Sequence, residues 1–582
     1  MGSITADTPT VSTKNGDAKY SVPKQAEQVF WKEIIENPLV SKYLPVGIRT
    51  PASTIRFTGK DAPTLPVNWR LAESVSALLA LEAALVGLLL EKKYDVPAPE
   101  VEIDVEHAQL FLMSLFLWTI DPEGEKINAT LSAKKLQKYL VDHDPYERAS
   151  TPHRSSTTNI YRCADGKFFQ THGSLNPDPV LKILALPRYQ ELNPVGQEAW
   201  IPFQESVSKF AAPELLIATD RAGQAGHTCN TFDEYSRSEH GRANAQIGLF
   251  EIFRVANKNH QPAWWPTSNH TAPPRPLAGL KVVDLTRIIA APTVTRGLAE
   301  LGASVMRVMG PDVPDFVGLH IDLNWGKWNT YIDITSEHGR GQLRNLIKDA
   351  DVVINGYRPG VLDKYGFSQD DIIAIVADRP RGIISVRENC YGWYGPFSHR
   401  SGWQNTSDAC VGVSHGYGKA IGLREDEPIV TPCPNSDYCT GLAGVAAILS
   451  AILQRGELGG SYKVDIALTY YNQWLLRSCG EYPPEVWQKL WDKYDRFQFR
   501  ANQPMEVITP EIMQLMEKRE DSFRDEFFCV QRSKALNVDI RCVKPVIQYP
   551  HGEVELGFTV GTRGNGKDAP RWPEDLTTEV VS

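Results

Sequence analysis

The residues best suited to chemistry lie in one short stretch, Pro434 to Gly441. Asn435, Ser436 and Asp437 are typical helix-start residues, because their short oxygens accept hydrogen bonds from the free N–H groups of a first turn. Asp437 would lie at the positive end of a helix dipole, which favours its carboxylate form, and an ionised carboxylate there can act as a nucleophile. A structural cap is the commoner role for such an aspartate, so the local sequence by itself favours the cap.

The residues after Asp437 are small and apolar up to Leu453. Side chains this small let another backbone or a thin ligand approach closely. The N–H groups of Cys439 and Thr440 are the candidate donors to a negatively charged oxygen of a reacting group.

The composition indicates a globular protein with more than one domain. The chain has 582 residues and a formal net charge of -9, and this length exceeds a single core. No basic patch interleaved with aromatic residues is present, so nucleic acid is not an expected partner. The nine cysteines lack zinc-ligand spacing, so we predict no metal site and expect buried, reduced thiols.

The apolar segments do not predict export or a membrane partner. Residues 1–24 are polar and lack the apolar segment of a secretory signal, so we expect a disordered tail. Val75 to Leu90 is short for a membrane span and contains Glu82, which favours a buried core helix over residues 71–92. We predict a cytoplasmic protein, with a mitochondrial location left open.

Residues 261–276 contain five prolines and mark the clearest domain boundary. Before them, residues 159–162 and 168–172 predict a small hairpin. Beyond them, predicted strands alternate with helices, which is typical of a doubly wound parallel α/β sheet. These strands are residues 280–285, 304–308, 331–334, 351–354 and 381–386.

Ligands of such sheets bind beyond the carboxyl ends of the strands. The candidate loops are therefore residues 286–292, 309–315 and 355–360. No GxGxxG motif follows Leu285, so NAD is not an expected cofactor.

Two segments of the chain resemble each other weakly. Residues 443–455 and 463–467 resemble residues 80–92 and 102–106, each a long Ala/Leu helix followed by a strand with an aspartate between apolar residues. The first copy has Glu73 and Ser74 in the region of Asp437, so we expect one active site per chain.

Several motifs resemble the family III CoA-transferases, the CaiB/BaiF family. Asp437 falls where that family keeps its catalytic aspartate, just before the Gly/Ala helix, and residues 561–566 resemble the tail of a larger subgroup. The other motifs follow the family's order and are Pro276 to Arg287, Ala290 to Pro292, Leu298 to Val305, Asn355 to Leu362 and Tyr391 to Pro396.

The resemblance implies two partial family units in one chain, as in a larger two-unit subgroup. The first would span residues 25–260, with a small α+β domain. After the linker 261–276, the second would span residues 277–582, with a Rossmann-like fold. Family members dimerise like linked rings, so we expect a homodimer or a monomer that imitates that dimer.

The resemblance also implies the chemistry. The aspartate attacks an acyl-CoA thioester, the CoA thiolate attacks the resulting mixed anhydride, and an incoming carboxylate takes the CoA from the aspartyl thioester. CoA and acyl-CoA are then substrates, and no tightly bound cofactor is expected. The implied phosphate-binding cations are Arg307, Lys327, Arg358 and Lys364, and the implied residues of an apolar slot for CoA are Ile288, Ala290, Pro292 and Tyr357.

Three departures from the family pattern leave alternatives open. Met309 and Gly310 stand where the family has a glutamate and a basic residue, which allows a catalytically degenerate acyl-CoA-binding protein. The racemase branch has a histidine near the position of Trp403, so an acyl-CoA racemase or epimerase is disfavoured.

Overall fold

A seven-stranded sheet lies at the centre of the fold in the computed structural model, which describes residues 19–128, 133–141, 143–190, 199–266, 274–519 and 523–581. The strands of the described residues are β1 (Ile55–Thr58), β2 (Val101–Asp104), β3 (Thr119–Ile120), β4 (Ile127–Asn128), β5 (Asn159–Arg162), β6 (Phe168–Thr171), β7 (Gly226–Thr228), β8 (Glu251–Val255), β9 (Lys281–Leu285), β10 (Ser304–Met309), β11 (Lys327–Tyr331), β12 (Val352–Asn355), β13 (Ile384–Asn389), β14 (Ser461–Ala467), β15 (Phe528–Ser533) and β16 (Val538–Val543).

The α-helices surround this sheet and three smaller sheets. Within the described residues they are α1 (Val22–Phe30), α2 (Pro38–Ser41), α3 (Arg49–Ala52), α4 (Leu71–Tyr94), α5 (Val105–Phe111), α6 (Ala133–Leu136), α7 (Pro152–Ser155), α8 (Asp178–Ile183), α9 (Ile201–Val207), α10 (Ala212–Arg221), α11 (Phe232–Arg237), α12 (Glu239–Ala243), α13 (Ala290–Glu300), α14 (His320–Leu323), α15 (Glu337–Asp349), α16 (Gln369–Ile375), α17 (Gln404–Val411), α18 (Val413–Ala420), α19 (Asn435–Leu458), α20 (Leu468–Trp474), α21 (Pro484–Lys493) and α22 (Met505–Glu517).

The central sheet has the strand order β11-β10-β9-β12-β13-β14-β8. Its strands pair in parallel except β8, which is antiparallel to β14. The predicted parallel α/β pattern is thus confirmed. The predicted strand at residues 331–334 is wrong, because β11 ends at Tyr331 and Asp333 instead accepts hydrogen bonds from Thr335 and Ser336 in the turn before α15.

Helices cover both faces of the sheet, because successive strand residues point to opposite sides. Val282 and Ile354 belong to a core shared with α13 and α19, whereas Val283 and Val353 belong to a core shared with α15 and α16. Strands buried on both faces are near-continuous apolar runs, which made them recognisable in the sequence.

The two long helices α4 and α19 pack against each other in the core. Each has 24 residues and is apolar and long enough to cross a membrane by composition, yet the apolar part of each is wholly buried inside the protein. The predicted buried core helix around Val75 to Leu90 is therefore confirmed, and both helices have the character of core helices.

Glycines bring α13 and α19 close together. A Cβ atom at Gly441 would lie 2.5 Å from Thr293 Cβ, and one at Gly444 would lie 2.7 Å from a methyl group of Val294. The small residues after Asp437 therefore admit a neighbouring helix, as their size predicted.

The variant Gly441→Ala should lower the free energy of unfolding by about 1 to 3 kcal/mol, because the new methyl group overlaps Thr293. Gly341→Ala is a matched control in α15, where an added Cβ has no neighbouring atom within 4 Å. It should raise stability by roughly 0.5 to 1 kcal/mol through helix propensity alone. Chemical denaturation of both variants checks the sign; a stabilised Gly441→Ala would contradict the close contact.

The two predicted units share one core, since β8 from the first range forms an edge of the central sheet and α4 packs on α19. The domain bounds themselves stay a prediction. The predicted hairpin is confirmed as β5 and β6, to which β7 adds a third strand.

Part of the range predicted as a disordered tail is helical. Residues 1–18 lie outside the described residues, but α1 begins at Val22. Val22 and Ala26 are buried with Ala72 and Val105, so the predicted tail boundary at residue 24 is wrong. Residues 267–273 of the predicted linker also lie outside the described residues.

Candidate active site

Asp437 is the third residue of α19 and is only 8% exposed. The residue that precedes the helix is Pro434, whose carbonyl accepts the Tyr438 N–H at 3.0 Å. Asp437 is therefore inside the first turn, and the predicted capping role is wrong. By helix geometry the free N–H groups belong to the first turn, so Cys439 and Thr440 have intrahelical acceptors and are not the donors that we predicted.

Acidic neighbours dominate the electrostatics of Asp437. Burial, and then the carboxyl groups of Glu388 and Asp408, raise the pKa of Asp437 well above its usual range. Burial also raises the pKa of Glu388, at the end of β13, to about 8. The expectation that the helix dipole keeps Asp437 ionised omitted two opposing effects, namely loss of solvation and repulsion between carboxylates.

Residues distant in the sequence, including Ser74 and Ser114 from the first half of the chain, hold the start of α19. Tyr471 donates a hydrogen bond to Asn435 Oδ1 at 3.0 Å, and Ser74 of α4 bonds to the Tyr471 hydroxyl at 2.9 Å. Tyr438, the residue directly after Asp437, donates a hydrogen bond to the carboxylate of Asp322 at 2.7 Å, and Ser114 also donates to that carboxylate. The sequence offered no local signal for these long-range contacts.

Of the predicted slot residues, Ala290 lies beside the start of α19. Ala290 is the first residue of α13, and its carbonyl oxygen lies 3.1 Å from where a Cβ of Gly441 would be. Ile288 precedes it with a φ of 74°, a strained conformation for a β-branched residue that is typical of functional loops. Pro292 is buried in the first turn of α13.

Two of the four predicted phosphate-binding cations are buried in internal ion pairs. Arg307 donates to Asp315 at 2.9 Å and to Asn565, and Lys327 donates to Asp284 at 3.1 Å. Burial lowers the pKa of Lys327 to about 8, despite the opposing effect of Asp284. This geometry does not support direct phosphate contacts for Arg307 and Lys327, because their charges are already neutralised within the core.

The other two predicted cations are exposed. Arg358 donates to the carbonyl of Gly223 at 2.7 Å, and Lys364 lies on the surface over the ring of Tyr365. Tyr357 is half-buried, with the guanidinium of Arg287 5.0 Å from its ring centre. Arg287, at the carboxyl end of β9, is not among the predicted phosphate-binding cations, although it lies in the candidate ligand loop 286–292.

Comparison with known proteins identifies the family. Residues 277–479, which include Asp437, match the family described as CoA-transferase family III. A protein of Hypoxylon pulicicidum named "Acetyl-coenzyme A transferase nodX" is 46% identical over 569 residues, covering 97% of this chain and 95% of its own. This chain belongs to CoA-transferase family III.

Other relatives agree with this assignment. A Gibberella moniliformis protein named "Acyl-CoA transferase" is 31% identical, covering 86% of this chain and 88% of its own. A crystal structure of a CaiB/BaiF family protein from Brucella suis is 32% identical, with a TM-score of 0.30 over 35% of this chain and 55% of its own. The family match and the two relatives named as transferases confirm the predicted enzyme class.

The CoA-transferase has a closed counterpart of Asp437 in its first half. Glu73 is the third residue of α4 and is wholly buried. Its carboxyl group accepts hydrogen bonds from the hydroxyl groups of Tyr20 and Tyr482, and Arg70 lies 3.6 Å away. These partners occupy the carboxyl group of Glu73, and one active site per chain stays a prediction.

A histidine does lie beside Trp403, although it is distant in sequence. His172, from the small domain, stacks on the Trp403 ring with 5.4 Å between ring centres. Burial lowers the pKa of His172 to about 3, and its Nδ1 accepts the Ser174 N–H. The charged groups that act on Asp437 are nevertheless carboxyl groups, so the contacts of Asp437 do not favour the racemase alternative.

In the described residues of the CoA-transferase, the ligand sets that metal ions need would come from His, Cys, Asp and Glu side chains. Within the described part of the chain, no group of three or more His, Cys, Asp or Glu side chains is arranged to hold a metal ion. All nine cysteines are free thiols, and Cys529 is half-buried rather than buried, with its sulfur 3.9 Å from that of Cys542.

Proposed function

We propose that this enzyme moves CoA from an acyl-CoA to a free carboxylic acid, with Asp437 as the nucleophile. The name of the Hypoxylon relative suggests acetyl-CoA as the first donor to test. The observation that carries the proposal is a buried carboxyl group in the first turn of α19, beside the first turn of α13.

The proposed reaction begins when an Asp437 carboxylate oxygen attacks the thioester carbon. A C–O bond forms, the C–S bond breaks, and the electron pair leaves with the CoA thiolate. The thiolate then attacks the aspartyl carbonyl of the mixed anhydride, which releases the first acid as a carboxylate. The second acid repeats these two steps in reverse and departs as the new acyl-CoA.

Two helix starts can stabilise the negative charge that develops in this reaction. The first-turn N–H groups of α19 and of α13, including those of Ser436 and Ala290, have no intrahelical acceptor. Donors of this kind stabilise an oxyanion without reorganisation. The low exposure of Asp437 also keeps water from the anhydride, whose hydrolysis would waste the acyl-CoA.

We assign the CoA phosphates to the exposed cations Arg358 and Lys364 and to the half-buried Arg287. Arg358, Lys364 and Arg287 follow β12 or β9, where ligands of doubly wound, Rossmann-like sheets bind. The slot residues Ile288, Ala290 and Tyr357 lie in the same loops. In this proposal Arg307 and Lys327 stabilise the sheet beneath the ligand and do not contact it.

The test is covalent trapping. The protein is incubated with acetyl-CoA and then with hydroxylamine or borohydride, and the peptide that contains residue 437 is analysed by mass spectrometry. We expect a hydroxamate or a reduced side chain at Asp437. An unmodified peptide with acetyl-, propionyl- and succinyl-CoA would refute the proposed nucleophile, and deuterium exchange at the α-carbon of a branched acyl-CoA without CoA transfer would support an epimerase instead.

We also propose a cytoplasmic location and a monomer that imitates the family dimer, with a homodimer as the alternative. The packing of α4 against α19 within one chain supports the monomer. Sedimentation equilibrium at micromolar concentration decides between one chain and two.

A further inference from the structure

A second carboxyl group lies beside the first turn of α19 and has no role in the reaction steps above. Asp408 is in α17 and is wholly buried. Its Oδ1 accepts from Asn472 at 2.8 Å and from Ser436 at 3.1 Å, and its Oδ2 accepts from Gln404 at 3.0 Å and from Thr431 at 3.1 Å.

Four donors on two oxygens are the pattern of a carboxylate. Gln404 and Asn472 direct amide N–H groups at Asp408, and an amide nitrogen can only donate. A protonated Asp408 would direct its own O–H at one of these partners. The amide nitrogens cannot accept it, and the hydroxyl group of Ser436 or Thr431 could accept it only by giving up its own donation to Asp408. Burial raises the pKa of Asp408, and the four surrounding donors act against that rise, so they favour its charged form without a cation.

Asp408 is linked to Asp437 in two ways. Its hydrogen bond to Ser436 fixes the residue directly before the nucleophile, and its charge opposes the ionisation of Asp437. Glu388, near the end of β13, also raises the pKa of Asp437. Asp437 and Asp408 in turn raise the pKa values of two neighbouring thiols, Cys390 and Cys433.

We propose that Asp408 is a positioning residue of the transferase, which holds the first turn of α19 through Ser436 and places a fixed negative charge beside Asp437. This inference rests on the proposed nucleophilic role of Asp437. When Asp437 attacks the thioester, its charge passes to the departing thiolate and the anhydride that remains is neutral. Acyl transfer therefore relieves the repulsion between the two carboxylates, and this relief favours the attacked state over the free enzyme.

The test is the pH dependence of adduct formation with acetyl-CoA in a single turnover. Adduct formation needs ionised Asp437, so its rate should rise with pH through the midpoint of Asp437. The variant Asp408→Asn keeps the shape and removes the charge, so the midpoint should fall by about one pH unit. In this variant an NH2 group replaces one of the two oxygens that accept hydrogen bonds from the surrounding donors. The first turn of α19 is then held less well, so the rate at high pH should fall roughly tenfold.

The variant Ser436→Ala separates the two effects. It breaks the link to α19 and leaves the charge of Asp408 in place. We expect a severalfold lower rate at high pH with an unchanged midpoint. The matched control is Glu73→Gln. It removes a buried carboxyl group from the third position of α4, the position that Asp437 has in α19, and it should change neither the pH midpoint nor the rate of adduct formation.

The outcomes distinguish this inference from the proposed function. A wild-type protein that forms no adduct refutes the nucleophile itself. A wild-type adduct together with an Asp408→Asn midpoint equal to that of the wild type overturns the inference alone. If Asp408→Asn does not fold, Ser436→Ala decides, because a wild-type rate in that variant would show that the link to α19 positions nothing.

Discussion

The Asp437→Ala variant should form no covalent adduct and should transfer CoA about 10^4-fold more slowly than the wild type, because no other group can hold CoA as a thioester between the departure of the first acid and the attack of the second. The measurement is the steady-state exchange between acetyl-CoA and a labelled carboxylate at saturating CoA ester. Binding of CoA should change little, since the carboxyl group lies at the reacting carbon and not along the CoA arm.

Stability provides the control for that variant. An aspartate whose pKa is raised in the folded state binds its proton more tightly there, so its contribution to stability falls as pH rises from the unfolded value towards the folded value. At neutral pH, Asp437→Ala should therefore unfold at the same temperature as the wild type or a higher one. If Asp437→Ala were inactive but melted at a clearly lower temperature, its loss of activity would be due to misfolding. If it were active, Asp437 would not be the nucleophile.

The Lys327→Met variant should lower the free energy of unfolding by about 3 to 5 kcal/mol, because it leaves Asp284 charged and buried without its cation. The residual partners of Asp284 are the hydroxyl groups of Thr286 and Thr295, which do not neutralise a charge. Denaturant titration followed by circular dichroism measures the loss.

The double variant Lys327→Met/Asp284→Asn should regain most of that stability, since it removes both charges together. The CoA affinity of Lys327→Met, measured well below its melting temperature, should stay within a few fold of the wild type. If Lys327→Met kept its stability and bound CoA at least tenfold more weakly, the result would support the phosphate contact that the sequence predicted for Lys327.

Local patterns were sufficient for the elements around the site. The apolar runs at residues 280–285 and 351–354 marked sheet strands, and the small residues after Asp437 marked a helix that another helix could approach. The local pattern did not reveal the surroundings of Lys327. Its Gly-Lys sequence resembled a phosphate-binding loop, whereas the residue begins β11 and is buried. Burial depends on the strands on either side, which the local pattern does not contain.

The sequence by itself determined the family, the parallel α/β class and the place of Asp437 at the start of a helix, because these depend on residues that are neighbours in the chain. The tertiary structure decided the electrostatics. Asp408 meets Ser436 across 28 residues and Lys327 meets Asp284 across 43, so which charges are paired, and which carboxyl groups surround the nucleophile, follows from how the elements pack.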